Sequence, residues 1–331
     1  MVSKQILKPD TGNQPFTRAL LIFNPASGQP EESPLQLVEI LTCLQDLNVH
    51  AEVFMVNPDC DLAQVTTDAV RRGIRMVIAC GGDGTIDAVI GGLVGTRATL
   101  CIIPVGTQNN TARALGIPIN DIRGAVDLIR NGQRARVDVG LASCGEKRRW
   151  FLETATVGLI SALFPAADAI QHGDLARIGD FMATLVSSTP GQLHITIDNN
   201  RKRVETHGHI AIVTNMPYLG IQFQIAPNVA YDDGLFDLVV FSNFTKLDLI
   251  GVAMQVVGGI PQDPRIQYYR GREVSIQTDP AMPVMVDGFM LGEGDLKITM
   301  RRQAISILSS PPTVEKQMSA PVSAIESDTS G

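Results

Sequence analysis

The first 140 residues alternate short apolar runs with longer stretches in which apolar residues recur every three or four positions. The short runs have the length of strands and lie at residues 19–23, 51–56, 76–79 and 100–103. The longer stretches lie between and after them, at residues 35–47, 62–72, 86–93 and 110–115. Strands that alternate with helices predict a parallel α/β sheet. Ligands of such sheets bind beyond the carboxyl ends of the strands, so we expect a site there.

The pattern changes after about residue 140, where strand-like segments dominate. These segments are residues 151–156, 192–198, 209–214, 235–241, 273–278, 284–286, 297–300 and 304–308. Two helix-like stretches, at residues 175–186 and 247–257, interrupt them. A run of short strands separated by turn residues predicts an antiparallel β-sandwich.

The two patterns together predict an α/β N-terminal domain with a parallel sheet and a C-terminal antiparallel β-sandwich domain. We expect the active site in the cleft between the domains. The predicted division is a mobile N-terminus at 1–16, the α/β domain at 17–140, the β-sandwich at 141–308 and a disordered tail at 309–331. An alternative left open is that the last strand of the sandwich returns to the sheet of the first domain. The tail is rich in Pro, Ser and acidic residues, which add little to a hydrophobic core.

Charge and cysteine content narrow the class of protein. Lys and Arg number 27 against 34 Asp and Glu, which gives a net charge of -7. A nucleic-acid-binding protein usually presents a basic surface, so we expect no nucleic-acid partner. The five cysteines are scattered, which is typical of reduced thiols in the cytoplasm. Because no apolar run has the length of a membrane span, we predict a cytoplasmic protein, with peripheral contact at the inner membrane face left open.

Three loops of small residues follow predicted strands, at residues 24–28 (NPASG), 81–85 (GGDGT) and 104–110 (PVGTQNN). Glycine lets backbone N–H groups approach a ligand closely, which suits a triphosphate. Asn24, Thr85 and Thr107 add hydrogen-bonding groups without bulk. Asp83 would repel phosphate unless a cation lies between them. It therefore indicates bound Mg²⁺, or else a polar contact with a ribose or with the loop itself.

Two common nucleotide-binding motifs are missing from the sequence. No Gly-x-x-x-x-Gly-Lys-Ser/Thr segment occurs, which excludes a P-loop NTPase, and no Gly-x-Gly-x-x-Gly segment supports dinucleotide binding. A single glycine-rich turn is more often a tight connection without a ligand. Three such loops at strand ends favour phosphate binding.

An ordered set of segments resembles the diacylglycerol kinase catalytic-domain family. The segments are NPASG, GGDGT, GTQNNTARALGIP, APNVAYDDGLFDLVVF and VDG. More narrowly, they resemble the soluble bacterial lipid kinases, which are related to sphingosine and ceramide kinases. The resemblance runs from about residue 19 to residue 308. It implies that ATP and Mg²⁺ bind on the first domain and that a lipid alcohol reaches the cleft.

The resemblance also implies roles for individual residues. It implies catalytic roles for Asp83 and for Asp287, which would accept the proton of the lipid hydroxyl as general base. It implies a structural Mg²⁺ at the acidic loop 231–235, held by the Asp233 side chain and the Leu235 carbonyl. By itself, Asp287-Gly288 is equally typical of a β-turn. The residues implied to hold the nucleotide are Asn24, Gly82, Asp83, Gly84, Thr85, Gly106 and Thr107.

Two of the departures from the family pattern replace a carboxylate. The family's Asp-Gly-Glu ends in Phe289 here, and if the segment is extended, positions 287 and 289 share a face. An aromatic ring would then stand where a carboxylate would meet metal or phosphate. The family's Gly-Thr-x-Asn-Asp ends in Asn110, which exchanges a charged acceptor for a neutral amide. Both changes predict weaker stabilisation of a transition state.

The leading prediction is an ATP-dependent lipid kinase that transfers the γ-phosphate to the hydroxyl of a diacylglycerol-like or sphingoid-like lipid. One alternative is a relative that binds nucleotide or lipid without catalysis. Another is a kinase of the NAD kinase type with a soluble substrate, which the NPASG and DDGLFD segments disfavour. The expected partners are the lipid alcohol and, transiently, a membrane surface, with a homodimer left open.

Overall fold

The structure is a computed structural model that describes residues 16–171, 175–219, 223–224, 229–255 and 263–311. The predicted mobile N-terminus, apart from Phe16, lies outside the described residues. The predicted tail lies outside them beyond residue 311.

The N-terminal domain is built on a parallel sheet, as the alternation of strands and helices predicts. Its four parallel strands lie in the order β4-β3-β1-β2. The central strands are almost fully buried in the hydrophobic core, where Leu21, Ile78 and Ile102 expose 1% or less of their surface. The elements are β1 (Thr17–Phe23), α1 (Ser33–Asp46), β2 (Val49–Met55), α2 (Leu62–Arg71), β3 (Met76–Gly81), α3 (Asp83–Ile90), β4 (Thr99–Pro104), α4 (Asn110–Ala114) and α5 (Ile122–Asn131). Of these, α5 was not predicted.

The C-terminal domain is an antiparallel β-sandwich, as predicted from the run of short strands. Its helices are α6 (Leu159–Gln171), α7 (Ile178–Ser187) and α8 (Lys246–Gln255). Its strands are β5 (Gln133–Cys144), β6 (Lys147–Phe151), β7 (Thr154–Gly158), β8 (Gly191–Ile197), β9 (Lys202–Thr214), β10 (Tyr218–Leu219), β11 (Phe223–Gln224), β12 (Phe236–Ser242), β13 (Ile266–Gly271), β14 (Glu273–Asp279), β15 (Pro283–Val286), β16 (Phe289–Glu293) and β17 (Leu296–Ser309).

Strand β9 joins the two layers of the sandwich. Its first half pairs with β8, and its second half pairs with β7 and β12. Alternate residues of β8 point inward, so Leu193, Ile195 and Ile197 are buried between the layers. The rings of Phe151 and Phe236 stack in the same core, with centroids 5.6 Å apart.

Strands β5 and β17 connect the two domains. The residues predicted as two strands, 297–300 and 304–308, form the single strand β17. Its first part pairs with β14, whereas Ser306 and Ile307 pair in parallel with β4. Strand β5 runs antiparallel along both parts. The hydrogen-bonded sheet therefore continues from the first domain into the second, which fixes the two sides of the cleft relative to each other.

Three helices cover the outer face of β9 and β12. Leu159 of α6 and Leu249 of α8 are buried against Ile212 and Val239. Helix α6 was not predicted from the sequence, and it contains Pro165, which usually signals the end of a helix. Among the described residues, no helix is both long enough and apolar enough to cross a bilayer.

Candidate active site

The three small-residue loops lie side by side because β1, β3 and β4 are neighbours in the parallel sheet. The backbones of these loops approach each other so closely that only glycine fits at two points. A side-chain carbon on Gly106 would lie 2.4 Å from the Cα of Gly82. One on Gly28, where φ is +69°, would lie 2.0 Å from the carbonyl oxygen of Val105. Close backbone contact therefore accounts for the glycine at position 28 in the first loop and the glycine at position 106 in the third loop.

Polar side chains link the first two loops. The Asn24 amide donates from Nδ2 to Oγ1 of Thr85 at 2.9 Å, and its Oδ1 accepts from the N–H of Ala26 at 3.1 Å. Thr85 is buried, whereas Gly84 and Thr107 are exposed. A side-chain carbon on Gly84 would meet no atom within 4 Å. The backbone at Gly84 is thus open to a ligand.

Asp83 links the second and third loops. Its Oδ2 accepts from the N–H of Asn110 at 3.1 Å, and its Oδ1 accepts from the N–H of Thr111 at 3.3 Å. The carboxylate therefore satisfies two backbone donors at the start of α4. The structure therefore contains a contact of Asp83 with the neighbouring loop, which was not predicted from the sequence, and the predicted role of Asp83 beside Mg²⁺ or a ribose stays a prediction.

Asp287 lies in the two-residue turn between β15 and β16. Both Asp287 and Gly288 have positive φ, at 43° and 78°, as a tight hairpin of this type requires. The β-turn alternative therefore holds, and the extended geometry for 287–289 does not. The half-buried carboxylate nevertheless faces the cleft.

Three consecutive backbone N–H groups hold the Asp287 carboxylate. Leu152 donates to it at 2.7 Å, Glu153 at 3.1 Å and Thr154 at 2.7 Å. These bonds favour the charged form, but removal from solvent has the larger effect and raises the pKa of Asp287 to about 6. The charge of Asp83 also raises this pKa, which indicates that the two carboxylates are close. The cleft thus brings a carboxylate of the second domain to the phosphate loops of the first.

Glu153 is a further site residue, which the sequence did not single out. Its side chain is buried, with Oε1 accepting from the Thr111 hydroxyl at 2.8 Å and Oε2 accepting from the Asn110 amide at 3.1 Å. Burial raises the pKa of Glu153 well above its usual range, and the charges of Asp83 and Asp287 raise it further. The sequence feature that could have identified Glu153 is its position as the one carboxylate within the largely apolar segment 151–157.

Asp87 and Arg149 form an ion pair near Asp287. Asp87 lies one helical turn after Asp83 and accepts from Nε of Arg149 at 3.1 Å. Burial raises the pKa of Asp87 well above its usual range, the charge of Asp287 raises it further, and Arg149 lowers it. The guanidinium also lies over the ring of Phe289, 4.4 Å from its centroid. The Phe289 ring therefore packs against a cation. About half of this residue, 48%, is exposed to solvent.

The acidic loop of the second domain lies apart from these contacts. The Asp233 carboxylate accepts from the N–H of Leu235 at 2.9 Å and pairs with the guanidinium of Arg270. Nε of Arg270 also lies 3.1 Å from Oδ1 of Asp237. The positive charge next to Asp233 is thus already supplied by an arginine. This arrangement does not fit a structural Mg²⁺, and the assignment of metal to Asp233 and Leu235 stays a prediction.

The cleft fits a magnesium ion that arrives with a nucleotide better than a metal ion held by protein alone. Among the described residues, no three His, Cys, Asp or Glu side chains form a metal site. Oδ1 of Asp87 and Oδ1 of Asn110 are buried and have no hydrogen-bond partner there. Mg²⁺ bound with nucleotides takes many of its ligands from phosphate and water, so few protein oxygens suffice.

Comparison with known proteins places this cleft in a family. Residues 18–142 match the profile of the diacylglycerol kinase catalytic domain. Residues 169–309 match that of the YegS C-terminal NAD kinase beta sandwich-like domain. A diacylglycerol kinase of Bacillus subtilis (strain 168) is 31% identical over 277 residues, which cover 82% of this chain and 89% of that protein. The chain belongs to the diacylglycerol kinase family.

Other members of the diacylglycerol kinase family agree with this assignment. The diacylglycerol kinase of Staphylococcus carnosus (strain TM300) is 27% identical over 297 residues, which cover 88% of this chain and 94% of that protein. The crystal structure of a diacylglycerol kinase from Bacillus anthracis str. Sterne superposes with a TM-score of 0.72 at 25% identity, over 90% of this chain and 99% of that one. The resemblance and the fold class predicted from the sequence are thus confirmed. Neither profile match includes residues 143–168, where Arg149 and Glu153 lie.

Proposed function

We propose that this member of the diacylglycerol kinase family is an active, ATP-dependent lipid kinase. It would transfer the γ-phosphate of ATP to the hydroxyl of a diacylglycerol-like or sphingoid-like lipid. The observation that carries the proposal is the Asp287 carboxylate. It is held by the N–H groups of residues 152–154 and lies beside Asp83 at the phosphate loops.

The N-terminal loops are suited to hold the nucleotide. ATP would supply the phosphoryl group, and its Mg²⁺ would neutralise the phosphate charge. The backbone of Gly82, Gly84 and Gly106 would approach the phosphates, and the exposed Thr107 would add a hydroxyl. The N-terminus of α3, which begins at Asp83, adds the positive end of a helix dipole.

Asp287 is suited to accept the proton of the lipid hydroxyl. As the hydroxyl oxygen forms its bond to phosphorus and the bond to the ADP oxygen breaks, the proton would move to the Asp287 carboxylate. The three backbone donors fix the orientation of the carboxylate before substrate binds. A pKa of about 6 makes this carboxylate a stronger base than an ordinary aspartate while it stays mostly charged at neutral pH.

An apolar surface near the cleft supports a lipid rather than a soluble substrate. Ile178, Met182 and Val186 recur at four-residue spacing on α7 and are 48%, 49% and 68% exposed. Helix α7 packs on α6, and Phe164 of α6 reaches Gly288, the neighbour of Asp287. We propose that this stripe contacts a membrane surface while the lipid hydroxyl enters the cleft.

Phe289 favours one alternative, a protein that binds nucleotide without transferring phosphate. An ATP-consumption assay across diacylglycerol, sphingoid bases, NAD and a no-substrate control separates the two. The proposal expects turnover that depends on a lipid alcohol and is lost in Asp287→Asn. Turnover that no lipid stimulates, or that is insensitive to Asp287→Asn, would contradict it. If the wild type is silent and Phe289→Glu creates activity, the non-catalytic alternative is correct.

A further inference from the structure

We propose that Glu153 supplies the carboxylate that the family pattern Gly-Thr-x-Asn-Asp carries at position 110. The acid would then stand at position 153 and the amide at position 110, and the hydrogen bond between the two side chains would position the third phosphate loop for Mg·ATP. Glu153 is a positioning residue in this scheme, since it acts through the loop. The inference rests on the proposed nucleotide site, although its test does not require lipid turnover.

The contacts of Glu153 tie the loop to the second domain. Its two carboxylate oxygens accept from the side chains of Asn110 and Thr111, the first two residues of α4. The backbone N–H of the same residue donates to Asp287 at 3.1 Å. One residue therefore connects the third phosphate loop with the proposed base.

The chemistry of the pair allows one carboxylate but not two. Nδ2 of Asn110 lies 3.1 Å from Oε2 of Glu153, a distance that suits an amide donor and a carboxylate acceptor. A second carboxylate at position 110 would place two negative charges in contact inside a buried site, next to Asp83. The neutral amide at 110 and the acid at 153 are therefore explained together. They account for a departure that, taken alone, predicts a weakened site.

A second observation points from this pair to a ligand. Asn110 is 3% exposed, and its Oδ1 has no hydrogen-bond partner among the described residues. An unpaired buried carbonyl oxygen costs free energy, so it is usually satisfied by a water, a donor or a cation. Its neighbours are the loops proposed to hold Mg·ATP. The pair thus combines a buried carboxyl group with a neutral oxygen that has no partner among the described residues.

The test exchanges the two side chains singly and together. Asn110→Asp, Glu153→Gln, the double variant and the wild type are compared for binding of Mg·ATP by calorimetry, without lipid. Asn110→Asp removes the amide donor and brings two carboxyl groups into contact, and Glu153→Gln replaces one of the two acceptor oxygens with a second N–H donor. We expect each single variant to bind about tenfold more weakly. In the double variant the amide at 153 can donate to the carboxylate at 110, so we expect binding within about threefold of the wild type. Glu205→Gln, on the exposed part of β9, is the matched control and should change nothing.

Thermal unfolding of all the variants separates folding from binding. If a single variant does not fold and the double variant does, the coupling is again supported. Equal affinities in all four proteins, or a double variant weaker than both singles, would overturn the inference. If the wild type binds Mg·ATP but phosphorylates no lipid, the proposed function fails. The inference about Glu153 and Asn110 is then still tested by the Mg·ATP affinities of the variants. If the wild type binds no Mg·ATP, both fail.

Discussion

Two acidic clusters of this chain differ in how their charges are balanced. The cleft cluster contains the four carboxyl groups of Asp83, Asp87, Glu153 and Asp287. Among the described residues, one cation pairs with this cluster, because Arg149 forms a salt bridge with Asp87. The Arg270 cluster contains Asp138, Asp233 and Asp237. Arg270 pairs with both Asp233 and Asp237. Burial raises the pKa of Asp138, whereas the nearby charge of Arg302 lowers it, so two cations face these three carboxylates.

Asp138 and Asp287 make the difference clear, because backbone N–H groups hold both carboxylates. Asp138 is fully buried and accepts from Gly234 and Gln303, which closes the joint between β5 and β17. Asp287 is only half-buried and faces other carboxylates. A cluster whose charges are largely neutralised from within stabilises the fold, whereas one with a larger excess of charge favours a proton or a ligand. The following predictions test this division.

The largest effect is expected from matched Asp→Asn substitutions in the two clusters. Asp287→Asn removes the proposed base, and we expect kcat to fall about 10²- to 10⁴-fold, as for loss of a general base. Asp138→Asn should instead lower the free energy of unfolding, because an amide is a weaker acceptor for its two donors, and leave kcat of the folded protein within about threefold. Turnover with a lipid alcohol and chemical denaturation measure the two quantities. The division fails if Asp138→Asn reduces kcat as much as Asp287→Asn does.

The phosphate loops could be predicted from sequence because their determinants are local. A strand, a small-residue turn and a helix start lie within about ten residues at 76–85 and 100–110, so each pattern is complete in one stretch. The spacing of apolar residues along the chain also predicted the parallel sheet and the β-sandwich. Residue types thus identified one wall of the cleft.

The other wall depends on contacts between distant segments. Glu153 meets Asn110 across 43 positions, and Asp287 meets Thr154 across 133. No periodicity encodes such pairs, and Asn110 therefore appeared only as a lost carboxylate. Helix α6 escaped prediction for a local reason, since Pro165 interrupts its pattern.

The second prediction concerns pH and has opposite signs for activity and stability. Asp287 has a pKa of about 6, above the ordinary value of 3.8. Below pH 6 the carboxyl is protonated, so we expect kcat/KM to fall about tenfold per pH unit. The folded protein binds this proton more tightly than the unfolded chain does. The contribution of Asp287 to the free energy of unfolding therefore increases as pH falls from about 6 to about 4.

A pH–rate profile and thermal unfolding in the same buffers test both signs. Asp287→Asn serves as the control, because its unfolding should lack this group's contribution. An activity that stays constant down to pH 4.5 would show that another group accepts the proton.

The third prediction separates nucleotide binding from stability at the edge of the cleft cluster. A methyl group at Gly84 meets no protein atom within 4 Å, so Gly84→Ala should raise the free energy of unfolding by about 0.5–1 kcal/mol through helix propensity. The same methyl group would hinder phosphate, and we expect Mg·ATP to bind several-fold more weakly. Gly251→Ala in α8, also without contacts, should raise stability alone. Unchanged ATP affinity in Gly84→Ala would contradict the placement of phosphate at this loop.

The smallest effect is expected at the Arg270 cluster and tests whether its arginine takes the role of a metal. Arg270→Met leaves Asp233 and Asp237 without their shared cation, and we expect the free energy of unfolding to fall by about 1 kcal/mol. Because Mg²⁺ can then replace the lost charge, adding Mg²⁺ without nucleotide should raise the Tm of the variant more than that of the wild type. Differential scanning calorimetry with Mg²⁺ and with EDTA measures both increments. A larger increment in the wild type would mean that Asp233 binds Mg²⁺ beside Arg270. The second cluster would then also be a ligand site, and internal neutralisation would no longer distinguish the two.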